Sequence, residues 1–208
     1  MNTDDLASFI DLLSGTQIVV LDGYQFTTSY QQAIKKKGSK LVCIDDLHDK
    51  HFVADAIINH AMGVKPGQNS AEPYTKFYLG MDYVLLRKEF RNAVNGENAF
   101  KSAGKVFICL GGADPYNLTT LALESISAIS GVKEIHIVTS HANVNLQSVK
   151  EAIKNIQDQG KCDVSIYLEL SAADLVKVIQ ETDVAVVSSS NISYEIISLN
   201  KVLICGWY

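Results

Sequence analysis

Scarcity narrows the reading of this 208-residue chain before any motif does: it has three prolines, one tryptophan and four cysteines. The cysteines, at 43, 109, 162 and 205, are widely spaced, and three lie inside apolar runs (LVCID, VFICL, VLICG). They read as buried thiols rather than bridges or metal ligands, which suits a reducing, cytoplasmic setting. Positive charge is sparse as well: the net charge is −5, and the longest basic run is Lys35-Lys36-Lys37. Nucleic acid is therefore not expected as a partner, while a small anionic ligand stays open. No apolar run approaches the roughly 20 residues that span a bilayer, and Asp4-Asp5 stand where a secretory signal would be basic. No membrane partner is expected. The chain also lacks a GxGxxG turn, a Walker A loop and a GxSxG elbow.

What is present is a chain 47% hydrophobic and 20% charged, enough to bury one sizeable core or two small ones. Short apolar runs alternate with segments of helical period. TQIVVLD (16–22), SKLVCIDD (39–46) and DAIIN (55–59) read as strands, with a helix near 28–37. Residues 60–80, with Gly63, Pro66, Gly67 and Pro73, read as a long loop. Residues 91–104, rich in Asn and Gly, read as a linker. The expected domains are therefore 1–98 and 99–208.

The second half is more regular. Strands are expected at 105–110, 134–139, 163–168, 183–187 and 202–205, with helices near 115–130, 145–159, 171–181 and 191–199. Such alternation predicts a doubly wound α/β domain with a parallel sheet covered on both faces. Leu118, Leu121, Ala122, Ile126 and Ile129 are expected on one helix face, and Ser171 with Asp174 makes a capping box.

Ligands of such sheets bind beyond the carboxyl ends of the strands, where helix N-termini offer free N–H groups to anions. Two loops there stand out. In ICLGGADPYNLT (108–119), Asp114 and Pro115 are explained as a cap and a first helical residue. The adjacent Gly111 and Gly112 are not, and would let a pyrophosphate approach the backbone. In VVSSSNISYE (186–195), Ser188, Ser189, Ser190 and Asn191 exceed what one cap needs, and Glu195 is placed to accept hydrogen bonds from vicinal ribose hydroxyls. The simpler alternatives are a polar surface loop and a carboxylate favoured by the helix dipole. Together the loops point to a nucleotide.

These two loops, with IVVLDGYQF, LVCIDD and YLGMDYVLLRKEF in this order and spacing, resemble the nucleotide-sugar hydrolases of pseudaminic acid biosynthesis, from about residue 16 to 208. The resemblance implies a fold like that of MurG-type GT-B glycosyltransferases: two Rossmann-like parallel-sheet domains, the first incomplete here. It implies UDP or a UDP-sugar as ligand and metal-independent, cofactor-free hydrolysis that releases a diacetamido-trideoxy sugar. Gly111, Gly112, Asp114 and Asn117 fall on the family's glycine-rich loop, Ser188, Ser190 and Glu195 on its second nucleotide loop, and Tyr24 on a tyrosine lining the sugar site. The family's GxGHxxR turn, whose histidine activates water, has no match in the chain, which reads as a fragment, an internally started frame or a degenerate copy.

Of the five histidines, His60, at a strand end, is the best-placed substitute base. His48 and His51 with Asp45, Asp46 and Asp49 have ligand-like spacing, but a solvated polar loop is the expectation and no metal site is assigned. His136 alternates with apolar strand residues, and His141 lies in a polar turn. Asp22 and Tyr24 make an ordinary Asp-Gly turn by themselves, and the resemblance turns them towards the sugar. Arg87 is read either as tying the linker to a domain or as neutralising phosphate. A glycosyltransferase using a UDP-sugar and a non-catalytic nucleotide-binding module are the alternative functions. A parallel sheet without its full cover would expose apolar surface, so a homo-oligomer is expected.

Overall fold

The computed structural model describes residues 3–65, 67–94 and 102–206. The chain divides into two compact units, Met1–Leu85 and Leu86–Tyr208. The division expected at 98/99 lies outside the described residues.

In the first unit, helix α1 (Thr3–Asp11) precedes strand β1 (Ile18–Asp22), helix α2 (Thr28–Lys36) and strand β2 (Lys40–Ile44). Then come β3 (His51–Phe52), β4 (Ala56–Asn59), β5 (Ser70–Ala71), β6 (Lys76–Leu79) and a 3-10 turn at Met81–Tyr83. Strands β1-β2-β4-β6 form a parallel sheet in that order, and β3 pairs with β5. Alternation along the strands sends Val19, Leu21, Leu41, Cys43 and Ile57 to one face, against Ile34 of α2 and the partly buried Phe9 and Ile10 of α1. Helix α2 is started by Thr27, whose hydroxyl accepts from the Tyr30 amide at 3.3 Å. Asp55 fastens the start of β4: its carboxylate accepts from the Leu41 amide and from Lys35 and Lys40.

Two expectations are corrected here. The supposed loop 60–80 contains β5 and β6, and β6 completes the sheet through its register with β4, from Ala56↔Lys76 to Asn59↔Leu79. Four residues beside Gly and Pro are too short to show a period; the long-range backbone pairing makes the strand. Residues 3–11, which carried no expectation, form α1.

The second unit follows the expected alternation closely. Its elements are α3 (Lys88–Asn92), β7 (Lys105–Cys109), α4 (Leu118–Ser127), β8 (Glu134–Thr139), α5 (Leu146–Asp158) and β9 (Asp163–Leu168), then α6 (Ala172–Gln180), β10 (Val184–Ser188), α7 (Asn191–Ser198) and β11 (Val202–Gly206). The parallel sheet has the order β11-β10-β7-β8-β9. Both faces are covered. Val106, Ile108, Ile135 and Ile137 pack with Leu123 of α4 and Val149 and Ile153 of α5. Phe107, Ala185 and Val187 pack with Phe90 of α3, Ile179 of α6 and Ile196 of α7 on the other face. Each fully buried Ile, Leu or Phe contributes roughly 1.5–3 kcal/mol, so these strands are strongly held.

The capping box forms: Ser171 Oγ accepts from the Asp174 amide at 3.2 Å and donates to its carboxylate at 2.7 Å. The face expected for α4 is corrected, because Leu121 is 61% and Ile129 57% exposed. The helix begins at Leu118 rather than near 115, and its buried row is Thr119, Leu123 and Ser127. Cys43 is buried and its thiol is pushed up to about 12 by that burial first and by Asp45 second. Cys109 and Cys162 are half-buried, and Cys205 is exposed because β11 is the edge strand.

Candidate functional site

Sheet order decides where the second unit can receive a ligand. The chain leaves central β7 for β8 and β9 on one side, then returns through α6 to β10 and β11 on the other. Loops from strands whose connections run in opposite directions diverge, opening a crevice at the carboxyl edge. That switch point lies between β7 and β10, paired in register to Val187↔Cys109. The glycine loop and the serine loop are the two that leave it.

Within the glycine loop, Gly111 takes a φ of 93°, which a side chain would strain. A Cβ on Gly112 would sit 3.0 Å from Ser140 Oγ. That hydroxyl donates to the Gly112 carbonyl at 2.9 Å, so the second glycine admits the neighbouring β8–α5 loop. Asp114 is buried, and its carboxylate accepts from the Leu118 and Thr119 amides at 2.8 and 3.0 Å. Its carbonyl takes a bond from Asn145 Nδ2 at 2.7 Å. Asn117, with φ 54°, occupies the N-cap position, and its Oδ1 accepts from Thr120 Oγ1 at 2.6 Å. Asp114 thus caps α4 as expected, but across a turn; Pro115 lies in that turn and not at the first helical position. Asp114 and Asn117 hold the loop's shape.

The serine loop spends little of its polarity on its own helix. Ser190 is the N-cap of α7 without a side-chain capping bond, and its hydroxyl lies 3.2 Å from that of Ser188. The Ser189 amide donates to the Gly206 carbonyl at 2.9 Å, tying the loop to β11. Asn191 is exposed at the helix start. One turn in, Glu195 is only 5% exposed, and both of its oxygens accept from Arg87, Nε and Nη2 each at 2.7 Å. Hydrogen bonding to Glu195, the largest influence, raises the Arg87 pKa while burial opposes it. The carboxylate read from the sequence as a ribose acceptor is thus already held by a guanidinium.

The first unit carries its polar groups at the same kind of edge. Asp22, Ile44 and Ile58 are in register across β1, β2 and β4. Tyr24, just past β1, is 63% exposed; its hydroxyl donates to Asp46 at 3.3 Å, and Lys50 Nζ donates to its carbonyl at 3.2 Å. The Asp46 carboxylate, first among several causes, raises the Tyr24 pKa, so the phenol stays protonated at neutral pH. His60 follows β4 and is half-buried. With β2 between them, the ends of β1 and β4 are about 9.5 Å apart, two strand spacings.

Three of the four remaining histidines have structural partners. His48, at φ 57°, donates from Nδ1 to Asn69 Oδ1 at 2.8 Å and accepts at Nε2 from Asn59 at 3.3 Å. Asp45 accepts from Asn69 and from the His48 amide. Asp45 and His48 thus join an internal polar network, while Asp46, Asp49 and His51 are exposed, as expected of a solvated turn. His51 contacts Ser70 and Glu72, and buried His136 contacts Tyr167. Among the described residues no group of three or more His, Cys, Asp or Glu is arranged to hold a metal ion, and no helix is long and apolar enough to cross a membrane.

No family model matches the chain. It is 26% identical over 204 residues to the UDP-2,4-diacetamido-2,4,6-trideoxy-beta-L-altropyranose hydrolase of Campylobacter jejuni, a match covering 96% of this chain and 70% of the relative. The similarity runs over nearly the whole of this chain. It is also 22% identical over 164 residues to the spore coat polysaccharide biosynthesis protein SpsG of Bacillus subtilis, covering 77% of this chain and 46% of SpsG. In fold it is similar to MurG of Acinetobacter baumannii, with a TM-score of 0.53 at 13% identity over 92% of this chain and 52% of MurG. The Rossmann-like, GT-B-like architecture is thereby shown. The chain spans less than two thirds of SpsG and of MurG.

Several polar partners are not announced by local sequence spacing. Asp46 and Lys50 frame Tyr24, and Ser140 and Asn145 brace the glycine loop. Only the paired acid of LVCIDD signalled the first of these. The Arg87–Glu195 pair spans 108 positions, and no local spacing announces it.

Proposed function

We propose that this chain holds UDP or a UDP-sugar on its second unit and acts as a nucleotide-sugar hydrolase of surface-polysaccharide or nonulosonic acid biosynthesis, freeing a diacetamido-trideoxy sugar. One observation carries this: the Gly111-Gly112 loop and the Ser188–Asn191 loop leave adjacent strands at the switch point of a doubly wound sheet. Backbone amides of the glycine loop and the α7 N-terminus serve the diphosphate. Ser188, Ser190 and Asn191 supply hydrogen bonds, with Asp114 and Asn117 shaping the loop and Glu195 inside the same site. On the first unit, Asp22 and Tyr24 are assigned to the sugar and His60 to deprotonating the attacking water. In that reaction water adds to the anomeric carbon, the bond from that carbon to the diphosphate oxygen breaks, and UDP leaves with the electron pair. A positioned base is worth about 10² to 10⁴ in rate.

A second reading is a nucleotide-binding module without chemistry. Calorimetry with UDP and chromatographic detection of UDP release from the sugar nucleotide separate the two. Binding with release that disappears in His60→Ala supports the hydrolase, binding without release supports the module, and no binding at millimolar UDP overturns both. Turnover only with an added sugar acceptor would show a transferase. Self-association is proposed as well, with Ile18 and Val20 exposed on β1; a light-scattering mass of one chain at tens of micromolar would overturn it.

A further inference from the structure

The loops that follow β7, β8, β9 and β10, residues 110–117, 140–145, 169–171 and 189–190, contain no lysine and no arginine. A diphosphate brings full negative charges to such an edge, whereas a helix N-terminus offers only about half a charge. A cation from elsewhere in the unit would complement that charge, and Arg87 is the candidate. It precedes α3, yet its side chain reaches α7 to grip Glu195 one turn past Ser190. Glu195 lies on α7, the helix entered from the serine loop, and β10, which leads into that loop, is paired with β7 to Val187↔Cys109, the residue from which the glycine loop departs. The pair therefore sits on the helix of one nucleotide loop, at the edge from which both loops leave.

The geometry leaves the guanidinium equipped for a second partner. Its fork to Glu195 uses one N–H from Nε and one from Nη2, so among the described residues three of its five donors are not engaged. The Glu195 side chain is 7% exposed while that of Arg87 is 46% exposed, so the negative end of the pair is buried and the positive end meets solvent. Phe90, fully buried, lies under the guanidinium with its ring centre 5.0 Å from Cζ. Held by a carboxylate and a ring, the group has little rotamer freedom left to lose on binding.

We infer that Arg87 is the diphosphate-binding cation of this site and that Glu195 is its positioning residue. The inference rests on the nucleotide reading above and gives Glu195 a different duty from the ribose contact read in the sequence. A lysine would not replace Arg87, since a point charge cannot fork to Glu195 and present a second planar edge at once.

The test measures UDP by calorimetry and uridine by saturation-transfer NMR, for the full chain and for Arg87→Gln, Arg87→Lys and Glu195→Gln. Arg87→Gln keeps a donor for Glu195 and so guards against misfolding; circular dichroism verifies the fold of each variant. The expected result is UDP binding weakened about tenfold or more in Arg87→Gln and in Arg87→Lys, with uridine unchanged. Glu195→Gln should weaken UDP by less and leave uridine alone, and the salt dependence of UDP binding should flatten in Arg87→Gln. UDP binding unchanged in Arg87→Gln overturns the inference, as does an equal loss for UDP and uridine, which would mark the pair as structural. A Glu195→Gln chain that loses uridine returns that carboxylate to the ribose. A wild-type chain that binds no UDP defeats the nucleotide reading itself, a result distinct from all of these.

Discussion

The second sheet is covered on both faces, by α4 and α5 on one side and α3, α6 and α7 on the other. The first has its described helices α1 and α2 on one face, leaving Ile18 and Val20 exposed on the other. The contrast follows from the order of the strands. In the first unit the chain always steps the same way, β1-β2-β4-β6, so right-handed crossovers all fall on one side. In the second it reverses at β7, which places helices on both sides and creates the crevice at once. The reversal therefore provides a stable core and a ligand site together, and a sheet that never reverses provides neither in the same way.

The sharpest way to break this comparison is to remove matched side chains. Ile135, on β8, is fully buried, and Val20, on β1, is 57% exposed. Ile135→Ala should lose about 2–5 kcal/mol of unfolding free energy, and Val20→Ala about 0.5 kcal/mol or less, by urea titration. Equal losses would mean that the open face of β1 is covered in solution.

Next in size is Asp114. Its carboxylate closes the α4 N-terminus with two amide bonds from a buried position. Asp114→Ala should cost about 1–3 kcal/mol and weaken UDP through the displaced loop. Normal stability with lost UDP binding would instead make Asp114 a direct ligand contact.

The first unit has a smaller electrostatic counterpart in Asp55. Burial raises its pKa, but bonds from Lys35, the Leu41 amide and Lys40 outweigh this and hold it at about 2. The folded value lies below the unfolded value of about 3.9, so the stabilisation is complete above pH 4 and lost as pH falls through 2. With the group partly solvated, the amount is about 1 kcal/mol. Asp55→Asn should remove that acid sensitivity between pH 4 and 2; an unchanged pH profile of stability would show the two lysines to be ornamental.

The same contrast explains which parts were legible beforehand. EIHIVT is long, β-branched and buried on both faces, and DVSIYL, an edge strand of the same length, keeps its apolar residues turned inward, so in both the apolar run and the strand coincide to the residue. KFYL is short and half-exposed, and becomes a strand only by pairing with β4, 20 residues earlier in register. The glycine and serine loops were visible because glycine and surplus hydroxyls are locally odd. Their supports were not: Ser140 behind Gly112, Arg87 on Glu195 and Asp46 beside Tyr24 join positions 22 to 108 apart. The face of α4 was misplaced because a periodic pattern fixes a helix's rotation only once its start is known, and Asp114 caps it from four residues away.

The smallest expected effect on stability belongs to Tyr24, and it separates architecture from function on the first sheet. Its hydroxyl makes one long bond, 3.3 Å, to Asp46 in a solvated setting, and the ring is mostly exposed. Tyr24→Phe should therefore change the unfolding free energy by less than about 0.5 kcal/mol. Asp46 holds the phenol protonated, so it can donate a hydrogen bond to a sugar but is a poor base near neutral pH. If Tyr24 serves the sugar, Tyr24→Phe should weaken the UDP-sugar about threefold to tenfold and leave UDP itself untouched. Paired calorimetric titrations of the two ligands decide it. Equal weakening of both would remove Tyr24 from the sugar, and no change in either would return it to an ordinary Asp-Gly turn.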